Sequence, residues 1–209
     1  AIDIKLYQDK KREIIHYLGL HNKSIELDIQ PFKNKWVKIH NYKLPYSFDF
    51  DIGKLKQGYL YYGVSKDGDY YKKLEEQTSM ITVAESGAGK SNLLNLLLYS
   101  IFWNYNNGID SKIDYTVLID LKGNELSLYN YKNTKFIDNI EGVETIFKEL
   151  KEIMYNRYKI MKETGDKKFK GLPIYVVIDE VGTIGTHYDK KLKDNIFNDM
   201  IELFQKGRA

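Results

Sequence analysis

The chain has 209 residues, of which 43% are hydrophobic and 29% charged, and a formal net charge of +3. That length buries the core of one good-sized domain, or of one domain with a small attachment, and the charge is too mild to mark a nucleic-acid partner by itself. The lack of cysteine excludes a disulfide framework, a thiolate zinc site and a cysteine nucleophile, and no stretch reaches the roughly 18 consecutive apolar residues of a membrane helix.

From the start of the chain, Asp3 to Leu20 carries Ile14, Ile15 and Leu18 at helical spacing among many charges, which predicts a short amphipathic helix. Lys35 to His40 alternates and predicts a strand. Tyr42 to Asp51 contains Pro45 and is expected as a loop or edge strand. Residues 1–57 thus read as a small attached α+β region, ahead of a main domain over residues 58–209.

In the main domain Tyr59 to Val64 predicts a strand, followed by a turn at Asp67-Gly68-Asp69. Met80 to Val83 predicts a short buried strand, then a glycine-rich turn and a helix from Ser91 to about Asn104. Tyr115 to Asp120 and Ile174 to Asp179 are apolar runs ending in aspartate, expected as core strands. Glu144 to Met161 and Lys190 to Phe204 show helical apolar faces. Runs of β-branched residues separated by helices argue an α/β fold with a mostly parallel sheet covered on both sides. Ligands of such sheets bind at the carboxyl ends of the strands.

The motif with the clearest chemistry is Ala84-Glu85-Ser86-Gly87-Ala88-Gly89-Lys90-Ser91, between a predicted strand and a predicted helix, as a phosphate-binding P-loop requires. Gly87 and Gly89 let backbone N–H groups turn inward around phosphate oxygens, and the helix start adds its dipole. Lys90 reaches the outer phosphates of ATP, and the Ser91 hydroxyl suits Mg²⁺. The expected nucleotide-binding set is therefore Ser86, Gly87, Ala88, Gly89, Lys90, Ser91 and Asn92. Ala84 stands where the pattern usually has its first glycine, a place alanine fills while its φ stays negative.

Ile174-Tyr175-Val176-Val177-Ile178-Asp179-Glu180 is a hydrophobic strand ending in two carboxylates, the Walker B arrangement. Asp179 is the expected second residue of the metal shell, with Ser91. Glu180 is the expected general base toward water, which favours a hydrolase over a kinase. Asp120-Leu121-Lys122-Gly123-Asn124-Glu125-Leu126-Ser127-Leu128-Tyr129 reads only as a polar loop leaving a core strand, and Gln205-Lys206-Gly207-Arg208-Ala209 as a basic tail. Lys167, Lys168 and Lys170 around Phe169 form a basic turn, in reach either of solvent alone or of phosphates. The four histidines show no metal-ligand spacing.

Taken together, these strings resemble the motor domain of the FtsK/SpoIIIE family of DNA translocases. VLIDLKGNELSLY resembles the segment after that family's P-loop, with Leu121 in place of a proline. Tyr155-Asn156-Arg157-Tyr158-Lys159-Ile160-Met161 resembles its helix before Walker B, and QKGRA the segment after the next helix. Leu74 to Met80 resembles the approach to the P-loop, and Thr183 stands where the family often has an acidic residue. The likeness covers about Gly58 to Ala209 and fits a divergent, conjugative coupling-type branch.

The resemblance implies a RecA-like P-loop NTPase core that hydrolyses ATP with Mg²⁺ and moves along double-stranded DNA as a homohexamer. It implies catalytic roles for Lys90, Asp179, Glu180 and Arg208, the last supplied to the neighbouring subunit's site. It also implies a further core strand between the P-loop strand and the Walker B strand. This gives the expectation of a C-terminally truncated piece of a longer protein, whose membrane anchor lies upstream and whose motor faces the bacterial cytoplasm. A protein-secretion motor of the same superfamily, and a nucleotide-bound assembly module with weak turnover, remain alternatives.

Overall fold

The computed structural model describes residues 4–19, 26–32, 36–42, 48–85, 87–105, 111–129, 131 and 133–207. The chain divides into two compact units, residues 1–53 with 61–71, and residues 54–60 with 72–209.

In the first unit the predicted amphipathic helix is two short ones, α1 (Ile4–Asp9) and α2 (Lys11–Tyr17). The predicted strand appears as β2 (Trp36–Tyr42), paired antiparallel with β1 (Glu26–Phe32). β1 escapes sequence patterning because Pro31 lies within it, a residue that argues against a strand unless it lies at an edge. In the two-stranded sheet Pro31 faces Val37. The tip of the hairpin β3 (Tyr59–Ser65) and β4 (Gly68–Lys73) also belongs to this unit. There Tyr61 is fully buried, donates its hydroxyl to Asp69 at 2.8 Å and packs on Tyr71.

The second unit is built on a three-stranded parallel sheet in the order β6 (Thr134–Ile137), β5 (Thr116–Asp120), β7 (Tyr175–Asp179). Every residue of β5 is buried, as expected of a central parallel strand apolar on both faces. Alternate residues go opposite ways. Val117 and Ile119 join Ile140, Val143, Ile146, Phe147 and Leu150 of α4 (Ile140–Thr164) and Ile196 of α6 (Lys190–Lys206) in one apolar cluster. Near Thr116 lies Tyr105, just past α3 (Lys90–Trp103), whose hydroxyl sits 3.0 Å from Thr116 Oγ1. Tyr129 stacks on Phe102 and donates to Asn95 at 2.7 Å, tying the chain beyond β5 to α3. A buried Asn104 at the end of α3 accepts from Gly58 N at 2.6 Å and donates to Tyr59 O at 3.2 Å, fixing the lead-in segment to the helix.

The helix ends follow local chemistry. Asn139 and Asp189 cap α4 and α6 by accepting from Gly142 N and Leu192 N at 2.8 and 3.0 Å. Gly165 closes α4 with a left-handed φ of 72°. α4 and α6 are further joined by Lys151, which bonds Asp199 at 2.6 Å and Glu202 at 3.0 Å.

One expected element is absent. Met80 to Val83 is not a strand, and Ile81 and Val83 are 78% and 90% exposed. An apolar strand holds its shape through ladder bonds to a neighbour, and among the described residues nothing pairs with this segment. The same shortage shows on β7, expected as a core strand: it pairs with β5 on one side only, and Val176 is 38% exposed. A short helix, α5 (Val181–Gly185), follows β7 directly and was not anticipated.

Candidate nucleotide-binding site

Between the irregular segment 77–85 and α3 the chain turns through two left-handed glycines, Gly87 (φ 79°) and Gly89 (φ 87°). A side chain at either would meet nothing within 4 Å, so backbone conformation rather than crowding demands glycine there. Glu180 is the one described non-glycine residue with positive φ, so Ala84 keeps the negative φ that alanine tolerates.

α3 has Gly89 as its N-cap, with no side-chain cap, and its first backbone bond runs from Leu93 N to Gly89 O at 3.0 Å. The amides of Lys90, Ser91 and Asn92 therefore precede the intrahelical ladder, at the positive end of a helix of 14 residues. That is the arrangement which accepts a phosphate group. Ser86 and Arg208 lie outside the described residues.

The sheet brings the second set of groups here. β5 and β7 are in parallel register with Asp120 opposite Asp179, so both strands release their chains side by side at their carboxyl ends. Lys90 Nζ lies 3.5 Å from Asp179 Oδ1, so the start of α3 and the end of β7 meet through this ion pair. Glu180 follows in a left-handed conformation (φ 55°, ψ 66°) as the N-cap residue of α5. This backbone is uncommon for a residue with a side chain, and such strain gathers at functional sites.

Three residues that sequence patterning left in an ordinary loop prove central. Asp120, 1% exposed, accepts four backbone amides: Lys122 N and Gly123 N on Oδ1, at 3.0 and 2.9 Å, and Glu125 N and Leu126 N on Oδ2, at 2.9 and 3.0 Å. Burial pushes this carboxyl up, but the four amides outweigh it and hold it below the usual aspartate value. The loop so fastened carries Lys122 into an ion pair with Glu180 and Glu125 to within 3.2 Å of the Ser91 hydroxyl, which donates to it. The hydrogen bond from Lys122 depresses the Glu180 carboxyl, and the same bond raises Lys122. The signal that could have found them was the Ile-Asp-x-Lys string itself, at the end of a run expected as a core strand.

The basic turn before β7 is pinned from within. Arg157 lies over the Phe169 ring at 4.6 Å and donates to Leu172 O at 3.0 Å, while Lys170 pairs with Asp166 at 2.8 Å. Lys167 and Lys168 stay exposed.

The whole chain superimposes on 62% of the conjugation coupling protein TcpA of pCW3, solved as a monomer with ATPγS, with a TM-score of 0.68 and 22% identity. The chain shares the α/β fold of that protein, a parallel sheet flanked by helices. Two structures of EccC from Thermomonospora curvata, one of ATPases 2 and 3 with a signal sequence peptide and one of the cytoplasmic domain of this type VII secretion ATPase, each match 73% of the chain. Both have a TM-score of 0.54 and 16% identity, and the match spans 27% and 17% of those chains. In sequence, 86 residues are 36% identical to the uncharacterized protein ORF1 of Spiroplasma virus SpV1-R8A2 B, covering 36% of this chain and 12% of that protein. No protein-family profile matches the chain. No helix among the described residues is long and apolar enough to cross a membrane.

Proposed function

We propose that this chain carries the ATP-hydrolysing site of a motor that moves double-stranded DNA, of the FtsK/SpoIIIE type and akin to conjugative coupling proteins. The observation that carries it is the convergence of Lys90, Ser91, Asp179 and Glu180 at the carboxyl ends of β5 and β7, in a fold shared along its full length with a coupling protein. The EccC likeness supports a second reading, a motor for protein export, over a smaller share of the chain.

In the proposed reaction the amides after Gly87 and Gly89 hold the ATP phosphates, and Lys90 leaves Asp179 to neutralise the outer ones. Glu180 takes a proton from water as the water oxygen bonds to the γ-phosphorus. The bond from that phosphorus to the β-phosphate oxygen breaks, leaving ADP and phosphate. Ser91 and Asp179 offer the hard oxygen donors Mg²⁺ takes, so these two residues would hold it. That ion supplies charge neutralisation of the phosphates. Ser91 would offer the ion a lone pair while its O–H donates to Glu125, which orients the hydroxyl. Arg208, provided by a neighbouring copy in a hexameric ring, completes the site in this reading; an arginine supplied in trans is worth about 10³–10⁵ in rate.

The deciding measurement is the steady-state ATPase rate of the full-length protein with and without duplex DNA at stated salt. Strong stimulation by duplex DNA is expected. Turnover indifferent to DNA would move the assignment to protein export, and no turnover would leave a nucleotide-bound assembly module.

A further inference from the structure

Glu180 stands at the mouth of the site on a flexible side chain, 42% exposed, and a general base has to present one oxygen to one water. Its own backbone does not restrict the carboxylate, since the side chain makes no cap bond to α5. What meets it is Lys122, from a different strand.

Lys122 is not an ordinary surface lysine in its mounting. Its amide is bonded to the buried Asp120, whose carboxylate also holds the amides of Gly123, Glu125 and Leu126. Asp120 is opposite Asp179 in the β5–β7 register, so Lys122, two residues beyond one, and Glu180, one residue beyond the other, follow adjacent strand ends. With side chains 56% and 42% exposed, the pair adds little to stability, as exposed ion pairs generally do. Its consequence is positional: an ion pair between two chain segments limits the rotamers of Glu180, and the charge of Lys90 also acts on that carboxylate.

We propose that Lys122 is a positioning residue for the hydrolytic carboxylate, holding Glu180 through a bridge whose fixed end is the Asp120 turn. Lys122 does not touch the reacting atoms. It acts through Glu180, and the inference rests on the assignment of Glu180 as base.

The test compares Lys122→Met, Lys122→Arg, Glu180→Gln and the double variant Lys122→Met/Glu180→Gln in the full-length protein. The readouts are kcat and KM for ATP and the equilibrium binding of a fluorescent ATP analogue. Lys122→Met is expected to lower kcat by about 10- to 100-fold, the scale of a misplaced catalytic group, with KM and analogue binding changed less than about twofold. Lys122→Arg restores most of the rate, because it keeps the cation. In the Glu180→Gln background, Lys122→Met changes nothing further. Full activity of Lys122→Met, an additive loss in the double variant, or parallel losses of affinity and rate would each overturn the proposal. Glu180→Gln with normal turnover would instead overturn the base assignment, and an inactive wild-type protein would overturn both. Lys122→Gln, also without charge, guards against a folding defect peculiar to methionine, and its melting midpoint is expected to match wild type.

Discussion

Replacing Asp120 by Asn tests the turn on which the site is hung. The carboxylate accepts Lys122 N and Gly123 N on one oxygen and Glu125 N and Leu126 N on the other. An amide keeps one oxygen and points its NH₂ at two donors, whichever way it is turned, so two charge-assisted bonds go. Each such bond contributes about 1.5–3 kcal/mol, and the remaining oxygen is expected to stay with Leu126, which is fully buried and cannot turn to water. The loop is then expected to open about 2–4 kcal/mol more easily, since the exposed Lys122 and Gly123 amides regain some solvation. Amide hydrogen exchange reads this directly. At neutral pH the four loop amides, of Lys122, Gly123, Glu125 and Leu126, should exchange through this opening about 30- to 700-fold faster in the variant, at tenfold for each 1.4 kcal/mol. The pH dependence follows from a carboxyl depressed in the folded chain by those amides, against the upward push of burial. The stabilisation is complete above the unfolded aspartate value of about 3.9 and is lost as pH falls through the lower folded value. The gap between wild type and variant should therefore close only in acid. Equal exchange of all four amides in both proteins at neutral pH would refute the account of this turn.

Other consequences follow from the same geometry. Lys90→Ala should weaken binding of an ATP analogue and abolish turnover together, measured by fluorescence titration and phosphate release; unchanged binding would contradict the P-loop assignment. Glu125→Ala removes the acceptor of the Ser91 proton and should raise the Mg²⁺ concentration needed for half-maximal ATP-analogue binding by about tenfold, with Mg²⁺-free binding unchanged. Hydrogen bonds from Lys206, Tyr155 and Lys151 pull the Glu202 carboxyl down to about 2, so its support of the α4–α6 contact is present above the usual glutamate value and fades as pH falls toward 2. Glu202→Gln should accordingly lower the thermal midpoint at pH 7 but not near pH 2.

Much of the second unit was legible because its signals are local. The apolar run Tyr115–Asp120, the helical periodicity over Glu144–Met161 and the glycines at 87 and 89 each specify conformation within a few residues. Short or mixed elements were not. β6 has four residues, β1 contains a proline, and α5 is five residues after a strained Glu180, too little pattern for any period to emerge. The candidate site divides the same way. Gly87, Gly89, Lys90 and Ser91 announce themselves by spacing, whereas Asp120, Lys122 and Glu125 look like any polar turn until their partners are placed.

By itself, then, the amino-acid order determined the central strand, the long helices and a glycine turn at the start of α3, because backbone propensity and side-chain period act over one or two turns. Tertiary structure alone decided the strand order β6-β5-β7, the register that sets Asp120 beside Asp179, and the meeting of Lys122 with Glu180 and of Glu125 with Ser91. It also decided that Met80 to Val83, apolar enough for a strand, stays irregular and exposed. Ladder hydrogen bonds and ion pairs join residues far apart in the chain, so a segment's final state depends on whether a neighbour arrives to share them.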